Sequence, residues 1–599
     1  MATTPEITDP ELEQATWNLE DLVDGQGRDG VARLLDEAQQ RADAFAERYA
    51  GKVAELDGPG LEEAMRAIAA IGELGGRAGS YAHLDFSVDT QDPERGALVA
   101  KVTERATAIE TKLVFFELEW AALDDARAEE LLAHDGLDFA RHYLRNARRY
   151  RPHLLSEPEE KLMAEKAQTG RSAWARLFAE LMAAVEVDEQ PLEVALSKLM
   201  HPDRETRRST AEKITAALEP GLRTRSYIFN TLALDKAVDD RLRHYESWIQ
   251  SRNLSNEASD ESVAALVEAV QGRYEIARRW YRLKAKLLGV DRLADYDRMA
   301  PVIDDEQRIE WRDAREMVLE SYTAFSPELG GLAGRFFEER WIDAPLRPRK
   351  RGGAFCAYTV PSAHPYVLLN YTARRRDVLT LAHELGHGVH AALARPQGLF
   401  HQGTPLTLAE TASVFGEELV FGRLLDEAQD AESRLSLLAE AIEGQIATVF
   451  RQIAMNRFED ALHTARRGEG ELAIDRINEL WATAQENLLG DAVEVTGGYR
   501  TWWSYVPHFV NAPGYVYAYA YGQLLALSVY RRYEEEGDAF VPAYLELLRA
   551  GGSRSPEDLG AIVGVDLADP GFWDAGLDLV ERQLRAAEDA AREARGVAL

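Results

Sequence analysis

The chain of 599 residues contains a single cysteine, Cys356. No disulfide can form within it, and no cysteine-based zinc or iron–sulfur cluster can be assembled. Positive charge is also scarce: 69 Lys and Arg stand against 102 Asp and Glu, a formal net charge of −33. So acidic a surface repels phosphate backbones and anionic membranes, which argues against a nucleic-acid or membrane partner. Its ordinary role is solubility. No uncharged, strongly apolar run reaches the length of a membrane span. The nearest stretch, 515–530, carries five tyrosines together with Gln523 and Ser528. Residues Met1–Glu6 show no basic segment leading into an apolar one, so no signal peptide is expected. With the lone cysteine, this gives the cytoplasm as the expected location. The G-x-x-x-x-G-K-[ST] and G-x-S-x-G patterns are both missing, so a P-loop NTPase or an α/β-hydrolase lacks its signal.

What is present is an ordinary globular composition, 46% hydrophobic and 29% charged, with enough chain for a large core. Length alone suggests about four domain-sized units. Most of the sequence has apolar positions spaced three and four apart among Ala, Leu, Glu and Arg, which predicts helices. The clearest are 93–123, 156–184, 261–288, 431–467 and 577–594, the last a packed amphipathic terminal helix. Asp57-Gly58-Pro59-Gly60, Gly75-Gly76, Gly330-Gly331 and Gly551-Gly552 read as turns between helices. Strand signals are few: a small hairpin over 184–193, and two antiparallel strands, 355–360 and 366–371. Residues 1–200 form an N-terminal helical region without evident chemistry, and residues 201–599 hold every chemical motif.

His383-Glu384-Leu385-Gly386-His387 is an HExxH. On a helix, positions i and i+4 share a face, so both imidazoles can reach one ion while Glu384 sits beside it, able to take a proton from water. Val378, Leu379, Leu381, Ala382, Leu385, Val389 and Ala392 supply the apolar face of that helix, and Asp377 caps it. A match by chance is expected about 0.03 times in a chain of this composition. Five of the 13 histidines (His364, His383, His387, His390 and His401) lie within residues 364–401, where random scatter would place about one. Zinc requires a third protein ligand and an open fourth position. The position ten residues after the first histidine is Leu393, and His390 lies too far along the helix axis. A carboxylate on a second helix, 407–424, is the better source. Its face carries Glu410, Ser413 and Glu417.

LAHELGHGVH followed by LAETASVFGEE resembles the oligoendopeptidase F branch of the thimet-oligopeptidase-like zinc metallopeptidases. The resemblance implies one Zn²⁺ per chain held by His383, His387 and Glu410. It places Glu417 as a further glutamate near the site, and it includes Lys350–Ala354 through His364–Tyr366 as strands beside a cleft. It extends weakly over most of the chain.

Residues 501–530 contain no Asp, Glu, Lys or Arg, an event with a chance on the order of 10⁻⁵ for a given window. The block holds Trp502, Trp503, Tyr505, His508, Tyr515, Tyr517, Tyr519 and Tyr521, and Pro507, Asn511, Pro513 and Gly514 make its first half a loop. It reads either as an aromatic core segment or as an active-site wall, where His and Tyr donate to an oxyanion without adding negative charge. HFVNAPGYVYAYAYG resembles the family element HFY-(N)PFYVYQYATG. That adds His508 to the site, with Tyr515 and Tyr519 as the matching tyrosines and the donor between them left open. Gly514 stands where Phe is common, and Tyr521 where Thr often occurs.

The expected fold is mainly α: a two-lobed helical metallopeptidase with a deep central cleft, as the resemblance implies, and a few short strands beside the active site. The expected activity is zinc-dependent cleavage of internal bonds in short unstructured oligopeptides, with Glu384, His508, Tyr515 and Tyr519 catalytic. A related helical metallocarboxypeptidase and a non-enzymatic peptide-binding scaffold are the alternatives. Cys356 reads as a buried structural thiol. Residues 347–351 (RPRKR) read as a solvated turn, or as a positive edge that meets a peptide's C-terminal carboxylate. Oligomeric state is not legible.

Overall fold

The computed structural model describes residues 9–303, 308–567, 569 and 571–598; the N-terminal segment Met1–Glu6 discussed above lies outside them. Helices dominate, with seven strands of two to six residues among the described residues. None of the described helices is long and apolar enough to cross a membrane. The chain forms two compact units, each assembled from three separate segments.

The first unit comprises Met1–Arg151, Glu306–Arg423 and Arg532–Asp566. Its long helices start where the sequence supplies caps. Asp57 accepts from the backbone N–H of Gly60, and Asp92 accepts from those of Glu94 and Arg95, in each case with proline in the first turn. The apolar faces of helices Gly27–Tyr49, Gly58–Val88 and Pro93–Ala122 bury Leu34, Leu35, Leu61, Met65, Phe116 and Trp120 in one core. A three-stranded sheet adds Tyr366 and Leu368 to it. Strand Tyr366–Tyr371 is central, antiparallel to Phe355–Ala357 as the sequence predicts. On its other side it runs parallel to Ile342–Pro345, a strand too short and proline-ended to be read from pattern.

The second unit comprises Pro152–Asp305, Leu424–Arg531 and Leu567–Leu599. Its core joins Phe178, Ile214, Phe229, Phe458, Trp481, Trp503 and Phe509. The small hairpin is present, pairing Glu186–Val187 with Gln190–Pro191. The terminal helix Phe572–Arg595 buries Trp573, Leu577, Val580 and Leu584, as an amphipathic packed helix should.

Five sequence expectations need correction. Gly75-Gly76 and Gly330-Gly331 are not turns; they lie inside helices Gly58–Val88 and Pro327–Glu338. The reason is close approach. A Cβ on Gly76 would stand 2.4 Å from Val360 Cγ1, and one on Gly330 would stand 2.1 Å from Thr323 Oγ1. The predicted helix 156–184 is two, Glu157–Ala167 and Arg171–Ala183, parted at Gly170. That over 261–288 is likewise two, Asp260–Gly272 and Tyr274–Leu287. The basic run 347–351 is not all solvated: Lys350 is buried, its Nζ 2.6 Å from Asp343 Oδ1 and donating to the Pro345 carbonyl.

Candidate active site

The helix Arg375–Ala394 carries the HExxH. Asp377 caps it from the first turn rather than from the preceding residue: its Oδ2 accepts from the N–H groups of Thr372 and Arg374. The predicted glutamate helix is interrupted at the key residue. Leu406–Ala409 and Thr411–Glu427 are separate helical segments, and Glu410 stands at their junction. Gly386, between the two histidines, lets this junction close on the histidine helix. A Cβ there would lie 2.4 Å from the Ala412 carbonyl oxygen and 2.6 Å from Ser413 Cα. Two residues on, Gly388 does the same for the Phe336 ring. Tyr322 wedges in from a third helix and donates to the Ala382 carbonyl at 2.6 Å, taking the space left beside Gly416.

These contacts bring His383, His387 and Glu410 together, with one donor atom from each within 4.8 Å of the others. Glu410 Oε2 is 3.3 Å from His383 Nε2 and 3.5 Å from His387 Nε2. Two ligands each about 2.0–2.1 Å from one tetrahedral ion stand about 3.3 Å apart, so these separations are those of zinc-ligand edges. Glu417 approaches the opposite nitrogen of His383, with Oε2 3.2 Å from Nδ1. That contact orients the ring so that Nε2 faces Glu410. Ser413 Oγ, 2.7 Å from Glu410 Oε2, steadies the carboxylate. The donor set of two imidazoles and one carboxylate therefore fits a divalent ion of zinc's preferences.

Charge at the cluster is strongly coupled. Burial disfavours a charged His383, yet the Glu410 and Glu417 carboxylates outweigh it and hold its pKa well above the ordinary imidazole range. Burial likewise raises Glu410, but hydrogen bonds and charge from His383 and His387 leave it well below the usual carboxylate range. Glu384 is buried beside them; desolvation raises its pKa, and the two histidines only partly offset that. His390 is buried with both ring nitrogens lacking a partner among the described residues, and burial lowers its pKa to about 3. It is not part of the cluster. His364 is stacked on Trp341 at 4.2 Å, and His401 Nε2 accepts from the Tyr143 N–H.

Cys356, in strand Phe355–Ala357, and Tyr358, just beyond it, approach this cluster. Cys356 is a partly buried free thiol whose pKa is raised well above the ordinary value by desolvation and by Glu384. Tyr358 has its ring centroid 6.4 Å from that of His387, and burial with nearby Cys356, Glu410 and Glu384 raises its pKa far above the ordinary phenol. Sequence reading passed over Tyr358. Its signal is parity: it stands two residues beyond Cys356, on the same side of an extended segment.

The second unit organises the charge-free block. His508–Asn511 is a short helix, and Tyr517–Glu536 is a long one that starts two residues after Tyr515. The tyrosines divide into two sets. Tyr515 and Tyr519 gather around His508: Tyr519 Oη is 3.3 Å from His508 Nε2, and the Tyr515 ring lies 6.2 Å from the imidazole at 22°. Tyr517 and Tyr521 are fully buried and tied elsewhere, Tyr517 Oη to Asn256 Nδ2 and Tyr521 Oη to Ser262 Oγ, each at 3.0 Å. Burial lowers the pKa of His508, with Arg451 acting in the same direction.

Residues 198–579 match peptidase family M3, and residues 119–186 match the oligopeptidase F family. The chain belongs to peptidase family M3. Membership makes it a metalloendopeptidase of the oligopeptidase kind, acting on peptides. Among its relatives, oligopeptidase PepF of Bacillus subtilis is 25% identical over 588 residues, 96% of this chain and 87% of that one. The group B oligopeptidase PepB of Streptococcus agalactiae is 27% identical over 516 residues, 84% of this chain and 86% of that one. In fold the M3 chain is similar to the crystal structure of oligoendopeptidase-F from Enterococcus faecium. The TM-score is 0.71 and the identity 22%, over 93% of this chain and 98% of that one. The mainly α architecture read from sequence is thus shared with solved relatives.

Proposed function

We propose that the enzyme is a zinc-dependent endopeptidase that cuts internal bonds of short, unstructured oligopeptides. The metal ligands are His383 Nε2, His387 Nε2 and Glu410, one ion per chain. The reading is carried by the spacing of Glu410 Oε2 from the two imidazole Nε2 atoms, 3.3 and 3.5 Å, with the Glu384 carboxyl buried beside them. When bound, zinc supplies a Lewis acid that polarises a carbonyl and acidifies water.

Glu384 holds the proton. Its carboxylate takes one from the attacking water and returns it to the leaving amine, a role suited to a buried group of raised pKa. Glu417 holds His383 in the tautomer that leaves Nε2 free to bind. His508 and Tyr519, with Tyr515, donate to the oxyanion that develops on the scissile carbonyl; their partial burial strengthens each such hydrogen bond. The catalytic chemistry falls within residues 201–599, and residues 1–200 act as helical scaffold.

The test is elemental analysis of the purified chain together with a quenched-peptide assay and a map of cleavage sites on a peptide blocked at both ends. One zinc per chain and internal cuts are expected. Removal of single residues from an unblocked C-terminus alone, or activity without metal, would overturn the reading.

A further inference from the structure

A buried carboxyl that none of the chemistry above uses holds the backbone just before Tyr515. Glu459, on helix Arg451–Glu469, is 1% exposed. Its Oε1 accepts from the Gly514 N–H at 2.9 Å, and among the described residues its Oε2 has no partner. Gly514 has φ +72°, a left-handed conformation suited to glycine, so the chain reverses there between His508 and the helix from Tyr517. The next carbonyl back is held as well: Arg252 Nε donates to Pro513 O at 3.3 Å, and its guanidinium stands 5.9 Å from the centre of the Tyr515 ring. One peptide unit, Pro513–Gly514, is thus gripped on its C=O by one side chain and on its N–H by another. Tyr515 follows at once, near-parallel to His508 and 5.1 Å edge-on from Tyr519.

We propose that Glu459, assisted by Arg252, is a positioning residue for catalysis: it fixes the Pro513–Gly514 peptide and thereby the placement of Tyr515, His508 and Tyr519. The inference rests on the oxyanion role given to His508 and Tyr519 above. A leucine would fill the same buried space without a polar group to satisfy, so a carboxyl here costs stability and needs a reason to be kept. Burial raises the Glu459 pKa to about 8, with the Gly514 N–H and Arg252 opposing, so near neutral pH the group accepts as a neutral acid. An amide carbonyl can do the same. Glutamine should therefore replace Glu459, and leucine should not.

The test uses the full-length, zinc-loaded enzyme and a quenched peptide, with zinc content and thermal unfolding measured for every variant. E459L should lower kcat about 10-fold or more with KM changed less than about 3-fold, while E459Q stays within about 3-fold of the parent. R252M, which frees the Pro513 carbonyl and leaves Glu459 in place, should also lower kcat and serves if E459L does not fold. In an H508A background, E459L should add little further loss, because a residue that acts through His508 is coupled to it. Parent-like kcat in a folded E459L, an E459Q as impaired as E459L, or an equal loss from E459L with and without His508 would each overturn the proposal. A fully active H508A would sink the oxyanion reading and this inference with it. An impaired H508A beside an unimpaired E459L sinks only the positioning role.

Discussion

Adding one methyl group between the two histidines should weaken the metal site. In Gly386→Ala the new Cβ would stand 2.4 Å from the Ala412 carbonyl oxygen, 2.6 Å from Ser413 Cα and 2.8 Å from the Ala412 carbonyl carbon. Ordinary carbon contacts begin near about 3.5 Å, and all three atoms are backbone, so no rotamer change relieves the overlap. The histidine helix and the segment carrying Glu410 must part by about 1 Å. Glu410 lies two residues before Ala412, and metal–ligand distances tolerate only about 0.2 Å. Zinc affinity should fall about 10–100-fold, and overpacking should cost about 1–3 kcal/mol of stability. Chelator competition gives the Kd, and thermal unfolding of the metal-free protein separates the two effects. Gly75→Ala is the control: its Cβ meets nothing within 4 Å inside helix Gly58–Val88, so it should keep its zinc and gain about 0.5–1 kcal/mol. A folded Gly386→Ala protein with parental zinc affinity would refute the reasoning.

Glu417→Ala, which leaves His383 Nδ1 without its 3.2 Å partner, should weaken zinc about 10–100-fold in the same chelator titration while His383 and Glu410 remain. Tyr519→Phe should lower kcat about 10²–10³-fold with little change in KM, as stopped-time peptide assays would read. Tyr517→Phe should instead keep kcat and lose about 1–3 kcal/mol, because Asn256 Nδ2 loses its buried acceptor; equal kcat losses in both would erase the distinction between the two tyrosine sets. Glu459→Gln should stabilise the fold increasingly with pH. The folded pKa of Glu459 is raised from 4.5 to about 8, so its contribution is fully present below pH 4.5 and lost as pH rises through 8. The gap between variant and parent in unfolding free energy should widen over that window towards about 5 kcal/mol, and a constant gap would contradict the buried neutral acid.

Legibility followed sequence distance. His383 and His387 are four residues apart, so helix geometry alone puts them on one face. The antiparallel pairing of 355–357 with 366–371 was readable because both strands and their turn are local. Glu410 was readable as a carboxylate on an apolar helix face, but its place at a helical junction was not, because the apolar periodicity of 407–424 runs through Glu410 without a break. Glycine misled for a physical reason: the same residue serves turns and close contacts, and only the partner, such as Val360 beside Gly76, tells which. The sorting of the tyrosines depends on Asn256 and Ser262, some 260 positions away, and no local pattern carries that. Lys350 looked solvated within a basic run because its partner, Asp343, lies in a strand that pattern could not reveal.

The central claim is that one metal, held by His383, His387 and Glu410, works with Glu384 as the proton carrier. The most direct measurement is zinc stoichiometry and kcat on the same preparations of the parent, Glu384→Gln and His383→Ala. The account predicts about one zinc per chain in Glu384→Gln with kcat lowered about 10²–10⁴-fold, and loss of both zinc and activity in His383→Ala. A Glu384→Gln enzyme that turns over near the parental rate, or a His383→Ala protein that retains stoichiometric zinc, would contradict it.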